Sequence, residues 1–352
     1  MEDSRSTSAA TLIQPLAAWL ETRTPGATNV QLHDAVEPSQ GFSSKTVIFR
    51  ATWNEGGQPR EQRLVVRVQK DTDCPMLADV FTQYHVMKAI AENSDVAVPP
   101  ILAAETDPSI LGAPFFLMER VDGRPTPDFP VHHESGWYKE ELTPGLREHA
   151  WWNAVTEMSR LHAIDWRCFT SLNQGVTEAP QTSFYINDFC QKWYDWGSQG
   201  RDFPVIKEAM RRLIKNQPQM AQSGLVWNDA RMGNTLFANN LTVTALLDFE
   251  VPSLGPAEID IASWLYMEDV FSIVRGVPRI EGVPTRENAI KGFERIYGRP
   301  MVEFDYFEAV AALKHAVIFL RSYGNDKETG AVESVHLDFA TGHLQRYLDQ
   351  NP

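Results

Sequence analysis

Apolar residues between Thr11 and Glu21 fall at Leu12, Ile13, Leu16, Ala17, Trp19 and Leu20, the spacing of one face of an amphipathic helix. Two strand-like runs follow, Thr46 to Trp53 and Arg63 to Gln69, separated by the turn signal Asn54-Glu55-Gly56-Gly57. Val80, Phe81, Tyr84, Met87 and Ile90 then return to helical spacing across 77–92, and further strand-like segments lie near 100–105 and 114–120. This order of hairpin, helix and strands describes a small α+β lobe that ends near Glu119. Val121-Asp122-Gly123-Arg124-Pro125 is polar and turn-rich, so the lobe boundary is placed there, giving an N-terminal lobe over 1–120 and a C-terminal lobe over 121–352.

Beyond the boundary helical patterns dominate. Trp151, Trp152, Val155, Met158, Leu161 and His162 line one face of a long helix, and further helices are expected over 183–198, 204–216, 257–271, 286–297, 303–322 and 331–348. Short strands near 225–227, 235–238 and 243–247 interrupt them. The pattern predicts an α+β fold with a small β-rich N-lobe and a larger, mainly helical C-lobe. Ligand chemistry is expected in the cleft between the lobes.

Composition narrows the picture. The chain has 352 residues, 43% of them hydrophobic, with ten tryptophans, enough for one large or two moderate cores. A formal charge of −14 argues against a nucleic-acid or anionic-membrane partner, since either would call for a basic surface. The longest apolar run near the C-terminus, Ala309 to Leu320, is broken by Lys314 and His315 and is too short to span a bilayer. Cys74, Cys168 and Cys190 show no C-x-x-C spacing, which suits a reducing compartment and offers no metal framework. The opening MEDSRSTSAA lacks the regions of a signal peptide, so a cytoplasmic, soluble protein is expected.

The candidate chemistry lies in 224–250, GLVWNDARMGNTLFANNLTVTALLDFE. Asp229 and Asn234 are five positions apart, and Asp248 follows fourteen residues later across a hairpin-like stretch. This D-x-x-x-x-N then D-F layout is the one kinases use to place a base beside two metal ligands. Asp229 would orient a substrate hydroxyl and accept its proton. Asn234 and Asp248 would hold Mg2+, an ion that takes oxygen ligands and keeps several waters. Glu250 is a candidate second carboxylate.

With Trp227-Asn228-Asp229, Asn234, Asp248-Phe249-Glu250 and Gly255 to Asp260 in place, the chain resembles the aminoglycoside phosphotransferase and choline kinase-like family, whose fold is related to protein kinases. The likeness runs over roughly 28–345. Gly112 to Glu119 and Leu161 to Asp165 look most like the branch related to kinase domains fused to acyl-CoA dehydrogenases, and mycobacterial-type aminoglycoside phosphotransferase-like proteins look closer still. The resemblance implies a bilobal fold, ATP as phosphate donor and a small hydroxyl-bearing acceptor, either an aminoglycoside or a hydroxy acid or hydroxyacyl-CoA. It places Ser43 and Ser44, within Gly41 to Thr46, in the phosphate-covering loop, and Arg67 where the family's strand lysine grips phosphates. The backbone from Glu119 to Val121 falls at the hinge that faces adenine. Asp260 takes the place of a loop-bracing acid, and Trp264, Glu268 and Asp269 lie near the acceptor region.

Three departures mark this chain. Trp227 replaces the motif histidine, Asn228 replaces a glycine, and Gln83 replaces the glutamate that pairs with the strand lysine. They raise a rival expectation, a catalytically weak ATP-binding regulator. His132-His133 sits in a Pro-rich loop with no third metal ligand at a recognisable spacing, and Glu268 and Asp269 read as solvated charges or as receivers of a cationic substrate.

Overall fold

The computed structural model describes residues 9–38, 44–70, 74, 79–321 and 330–352. Two compact units emerge, one made of residues up to Lys88 with Pro99–Val121, the other of Ala89–Val98 with Asp122–Pro352.

The first unit opens with α1 (Ala9–Arg23), followed by β1 (Ala27–Val36), β2 (Ser44–Glu55), β3 (Gln58–Gln69), the beginning of α2 (Val80–Asn93), β4 (Ile101–Glu105), the short α3 (Pro108–Leu111) and β5 (Phe115–Glu119). Its strands form one antiparallel sheet in the order β1-β2-β3-β5-β4. Gly56 and Gly57 both take positive φ, 56° and 80°, as the tight turn of a twisted hairpin requires. That turn sets a register from Glu55↔Gln58 to Ser44↔Gln69.

Strand alternation then divides the side chains. Val47, Phe49 and Ala51 join Leu64, Val66, Val68, Phe115 and Leu117 in a core completed by Leu12, Leu16, Trp19 and Leu20 of α1. The N-terminal helix therefore packs on its own sheet. The Trp19 ring meets Phe115 edge-on at 4.8 Å, and its indole N–H donates to Glu105 Oε2 at 2.8 Å. Arg67 and Phe116 occupy the opposite face by alternation, where Tyr84 of α2 lies 6.2 Å from the Phe116 ring. β1 is absent from the sequence reading for a physical reason. It is a half-exposed edge strand whose alternation is broken by irregularities after Thr28 and His33, with Asn29 and Asp34 at positive φ.

The second unit is helical: α4 (Trp137–Glu140), α5 (Pro144–His162), α6 (Thr182–Tyr185), α7 (Gln191–Ser198), α8 (Pro204–Lys215), α9 (Glu258–Asp269), α10 (Arg286–Tyr297), α11 (Phe304–Phe319) and α12 (Gly330–Gln350). The helix expected over 183–198 is interrupted by a π-turn at Ile186–Cys190, and α9 runs on into another at Val270–Val274. Two small antiparallel pairs punctuate the helices. One joins β6 (Gly224–Val226) to β9 (Ser253–Gly255), and the other joins β7 (Thr235–Phe237) to β8 (Val243–Leu246). β9 escapes sequence reading because three residues after a proline carry no periodicity. α11 is buried almost throughout, with Lys314 and His315 inside an otherwise apolar helix. Among the described residues no helix is long and apolar enough to cross a membrane.

Candidate active site

The loop after β6 is built around one buried carboxylate. Asp260, in the first turn of α9, accepts the backbone N–H of Trp227 at 2.6 Å through Oδ2 and that of Asn228 at 3.0 Å through Oδ1. His162, at the end of α5, lies 2.9 Å from the same Oδ2. Asp260 is fully buried, so these contacts replace its hydration and hold the loop against two helices. Asn228 takes a left-handed conformation at φ 70°, which asparagine tolerates better than most residues. Its side chain donates to Val251 O at 2.7 Å and accepts from the Tyr185 hydroxyl at 2.7 Å. The buried Lys314 ammonium donates to the Asn228 carbonyl at 2.6 Å.

This scaffold delivers Asp229 to a half-exposed position, its side chain 39% accessible. Arg231 Nε donates to Oδ1 at 3.0 Å, and Asn234 Nδ2 donates to Oδ2 at 2.6 Å and to the Asp229 carbonyl at 2.9 Å. Burial opposes ionisation, but the charges of Arg231 and Lys314 and the Asn234 amide outweigh it and hold the Asp229 carboxyl below its ordinary range. Arg231 is itself gripped by Asp128. A Cβ on Gly233 would stand 2.5 Å from both Arg231 Nη1 and Asp128 Oδ1, so a larger residue would push this ion pair aside.

Asp248 follows β8 at φ 62°, a left-handed backbone position. Its segment is tied to the Asp229 loop from both sides. Leu247 N–H donates to the Asn234 carbonyl at 2.8 Å, and the Trp227 indole N–H donates to the carbonyls of Leu247 at 2.9 Å and Asp248 at 3.2 Å. Trp227 is fully buried and stacks on Phe249 with centroids 5.7 Å apart. The tryptophan that stands in the motif histidine's place thus braces this loop. Asp229, Asn234 and Asp248 are brought together.

In the first unit, Ser44 is buried at the start of β2, and Arg67 sits opposite Thr46 in the β2–β3 register. Ser43 lies outside the described residues. Glu119 and Arg120 spend their amides on Pro100 O and Arg63 O at 2.9 Å each, and Val121 is the unit's last residue. Gln83 is buried on α2.

Other expectations are corrected. Glu268 is buried against two histidines rather than solvated. Its Oε2 lies 2.9 Å from His133 Nε2 and 3.4 Å from His132 Nε2, and Trp151 Nε1 donates to Oε1 at 3.3 Å. Asp269 pairs with Arg279 at 2.6 Å. Arg231 and Asp128 have no role in the sequence reading, and Lys314 figures there only as a break in an apolar run. Arg231 lies inside the motif spacing and was detectable there, whereas Asp128 and Lys314 are 103 and 86 residues from their partners.

Comparison with known proteins places this geometry. Residues 34–299 match the profile of the phosphotransferase enzyme family. Acyl-CoA dehydrogenase family member 10 of Mus musculus is 28% identical over 323 residues, a stretch covering 83% of this chain but only 28% of that relative's length. An aminoglycoside phosphotransferase-like protein from Ralstonia eutropha JMP134 aligns with a TM-score of 0.67 at 20% identity, over 95% of this chain and 98% of that one. A thermostable mutant of the aminoglycoside phosphotransferase APH(4)-Ia, solved as a ternary complex with AMP-PNP and hygromycin B, gives a TM-score of 0.55 at 16% identity, over 94% and 99% of the two chains. These neighbours share the kinase-like α+β fold.

Proposed function

The chain belongs to the phosphotransferase enzyme family, and from that premise we propose an ATP- and Mg2+-dependent kinase that phosphorylates a hydroxyl of a small molecule. One observation carries the reading: Asn234 Nδ2 is bonded to both the carbonyl and the carboxylate of Asp229, in a loop that Trp227 ties to Asp248.

The donor set fits magnesium. Both Asn234 side-chain bonds use Nδ2, which turns the amide oxygen to the role of a neutral ligand, and Asp248 supplies a carboxylate. Magnesium, when bound, spreads the charge that develops on the transferred phosphoryl group. Asp229 is ionised at neutral pH and is a weak base, since its carboxyl is held below the ordinary range. Such a group orients a hydroxyl early and takes its proton late, as a loose phosphoryl-transfer transition state requires. Arg231 and Asn234 each take one carboxylate oxygen, and each oxygen keeps a lone pair for the acceptor. In the first unit, Arg67 and the Ser43–Ser44 segment are assigned to the nucleotide phosphates, and Glu119 to Val121 to adenine.

For the acceptor, Glu268 is buried against histidines and Asp269 is paired with Arg279, which argues against an aminosugar at these two acids. That favours a hydroxy acid or hydroxyacyl ester over an aminoglycoside, in keeping with the acyl-CoA dehydrogenase relative. The test is ADP release from magnesium-ATP with aminoglycosides, hydroxy acids and hydroxyacyl-CoA esters, using Asp229→Ala as control. Acceptor-dependent release that disappears in the variant supports the kinase. Silence in protein that binds ATP would favour a regulatory nucleotide binder.

A further inference from the structure

We propose that His132, His133 and Glu268 form a buried binding site for a zinc-type divalent cation. The inference is independent of the phosphotransfer reading. One ligand atom from each residue lies within 4.8 Å of the others, and the three side chains are 2%, 0% and 3% exposed. The loop over 128–135 is a succession of turns, which lets two adjacent histidines face the same way. Glu268, on the last turn of α9, meets them from 136 residues along the chain.

Glu268 Oε2 is the atom that both histidines approach. His133 Nε2 pairs with Glu268 Oε2 at 2.9 Å, yet it is buried without an aligned hydrogen bond. A buried imidazole nitrogen in that state costs free energy unless a third body completes it. Ligands on a tetrahedral zinc at about 2.0–2.1 Å stand roughly 3.3 Å apart. The separations of 2.9 and 3.4 Å from Oε2 to the two histidines bracket that figure. Trp151 Nε1, donating to Oε1, fixes the carboxylate so that Oε2 faces the histidines, as groups behind metal ligands commonly do.

Two imidazoles and one carboxylate make a borderline donor set that suits zinc and later first-row ions rather than magnesium or calcium. A divalent ion would also neutralise a carboxylate that otherwise sits among buried aromatic rings, Tyr138 and Phe271 lying edge-on to His132 at 5.6 Å. Binding at Nε2 places the His133 proton on Nδ1. In the structure Nδ1 instead accepts from the Ile280 amide at 3.5 Å, the outer limit of a hydrogen bond, so metal binding would require that weak contact to be given up. Asp128 begins the same loop and grips Arg231, the partner of Asp229, so the ion would fasten the segment that positions Asp229.

The full-length chain, stripped with a chelator, is titrated with Co2+ and followed by the visible absorption of tetrahedral cobalt, with Zn2+ as competitor. The expected result is one equivalent bound, kept in Asp248→Ala and weakened on the order of 100-fold or more in His132→Gln and His133→Gln. The absence of a tetrahedral band, or binding unchanged in both histidine variants, would overturn the site. Should those variants not fold, zinc-edge X-ray absorption on the wild-type chain decides it. Two imidazoles in the scattering support the site, and a shell without imidazole overturns it.

Discussion

Replacing Trp227 by phenylalanine isolates the one contact by which this chain's own motif residue holds Asp248. The ring stack on Phe249 survives, but the indole N–H shared between Leu247 O and Asp248 O is lost. Leaving part-buried carbonyls without this donor costs up to about 1–3 kcal/mol. The pyrrole volume removed from a fully buried site adds roughly 1 kcal/mol. The expected loss is thus about 2–4 kcal/mol, a large share of a total that is typically about 5–15 kcal/mol. Urea unfolding followed by far-ultraviolet circular dichroism reads it as a lower midpoint at unchanged slope. The catalytic arm is the magnesium dependence. With the indole tether to the Leu247–Asp248 segment removed, half-saturation by Mg2+ rises about tenfold, equivalent to about 1.4 kcal/mol of that loss. A variant within 0.5 kcal/mol of wild type, to within about the usual error of such melts, and with unchanged magnesium dependence, would refute the brace.

Arg231→Met removes the cation that depresses Asp229, so that carboxyl rises and the acid limb of the kcat/KM pH profile moves to higher pH; an unmoved limb contradicts the assignment. Lys314→Met deletes the donor to the Asn228 carbonyl and a positive charge facing Asp260 and Asp229, and should destabilise the second unit by about 3–5 kcal/mol in thermal or urea unfolding. A change below about 1 kcal/mol would mean that the lysine is a passenger. In the first unit, the Trp19 indole, the Asp107 amide and Arg23 bring the Glu105 carboxyl down from 4.5 to about 2. This stabilisation is full above pH 4.5 and fades as pH falls towards 2, so Glu105→Gln should flatten the acid transition of Trp19 fluorescence over that window, and an unchanged transition would refute it.

The division into a sheet-based and a helical part was legible because alternation and helical periodicity are local signals, one strand or helix at a time. β2, β3, β4 and β5 appear where apolar residues alternate, and Asp229, Asn234 and Asp248 were legible because their spacing is set within a single loop and hairpin. What escaped was whatever needs two distant segments to meet. The edge strand β1 has no core face to mark it and is defined only by pairing with β2. Trp227 read as a departure until the Leu247 and Asp248 carbonyls appeared around its indole. Lys314 read as an interruption of an apolar run, and only the packing of α11 beside the Asn228 carbonyl makes it a partner. His132 and His133 lacked a third ligand in sequence because Glu268 reaches them across 136 residues. Sequence alone therefore marked the candidate residues of one local motif. Tertiary structure decided their charge partners, because electrostatic interactions act through space and carry no periodicity along the chain.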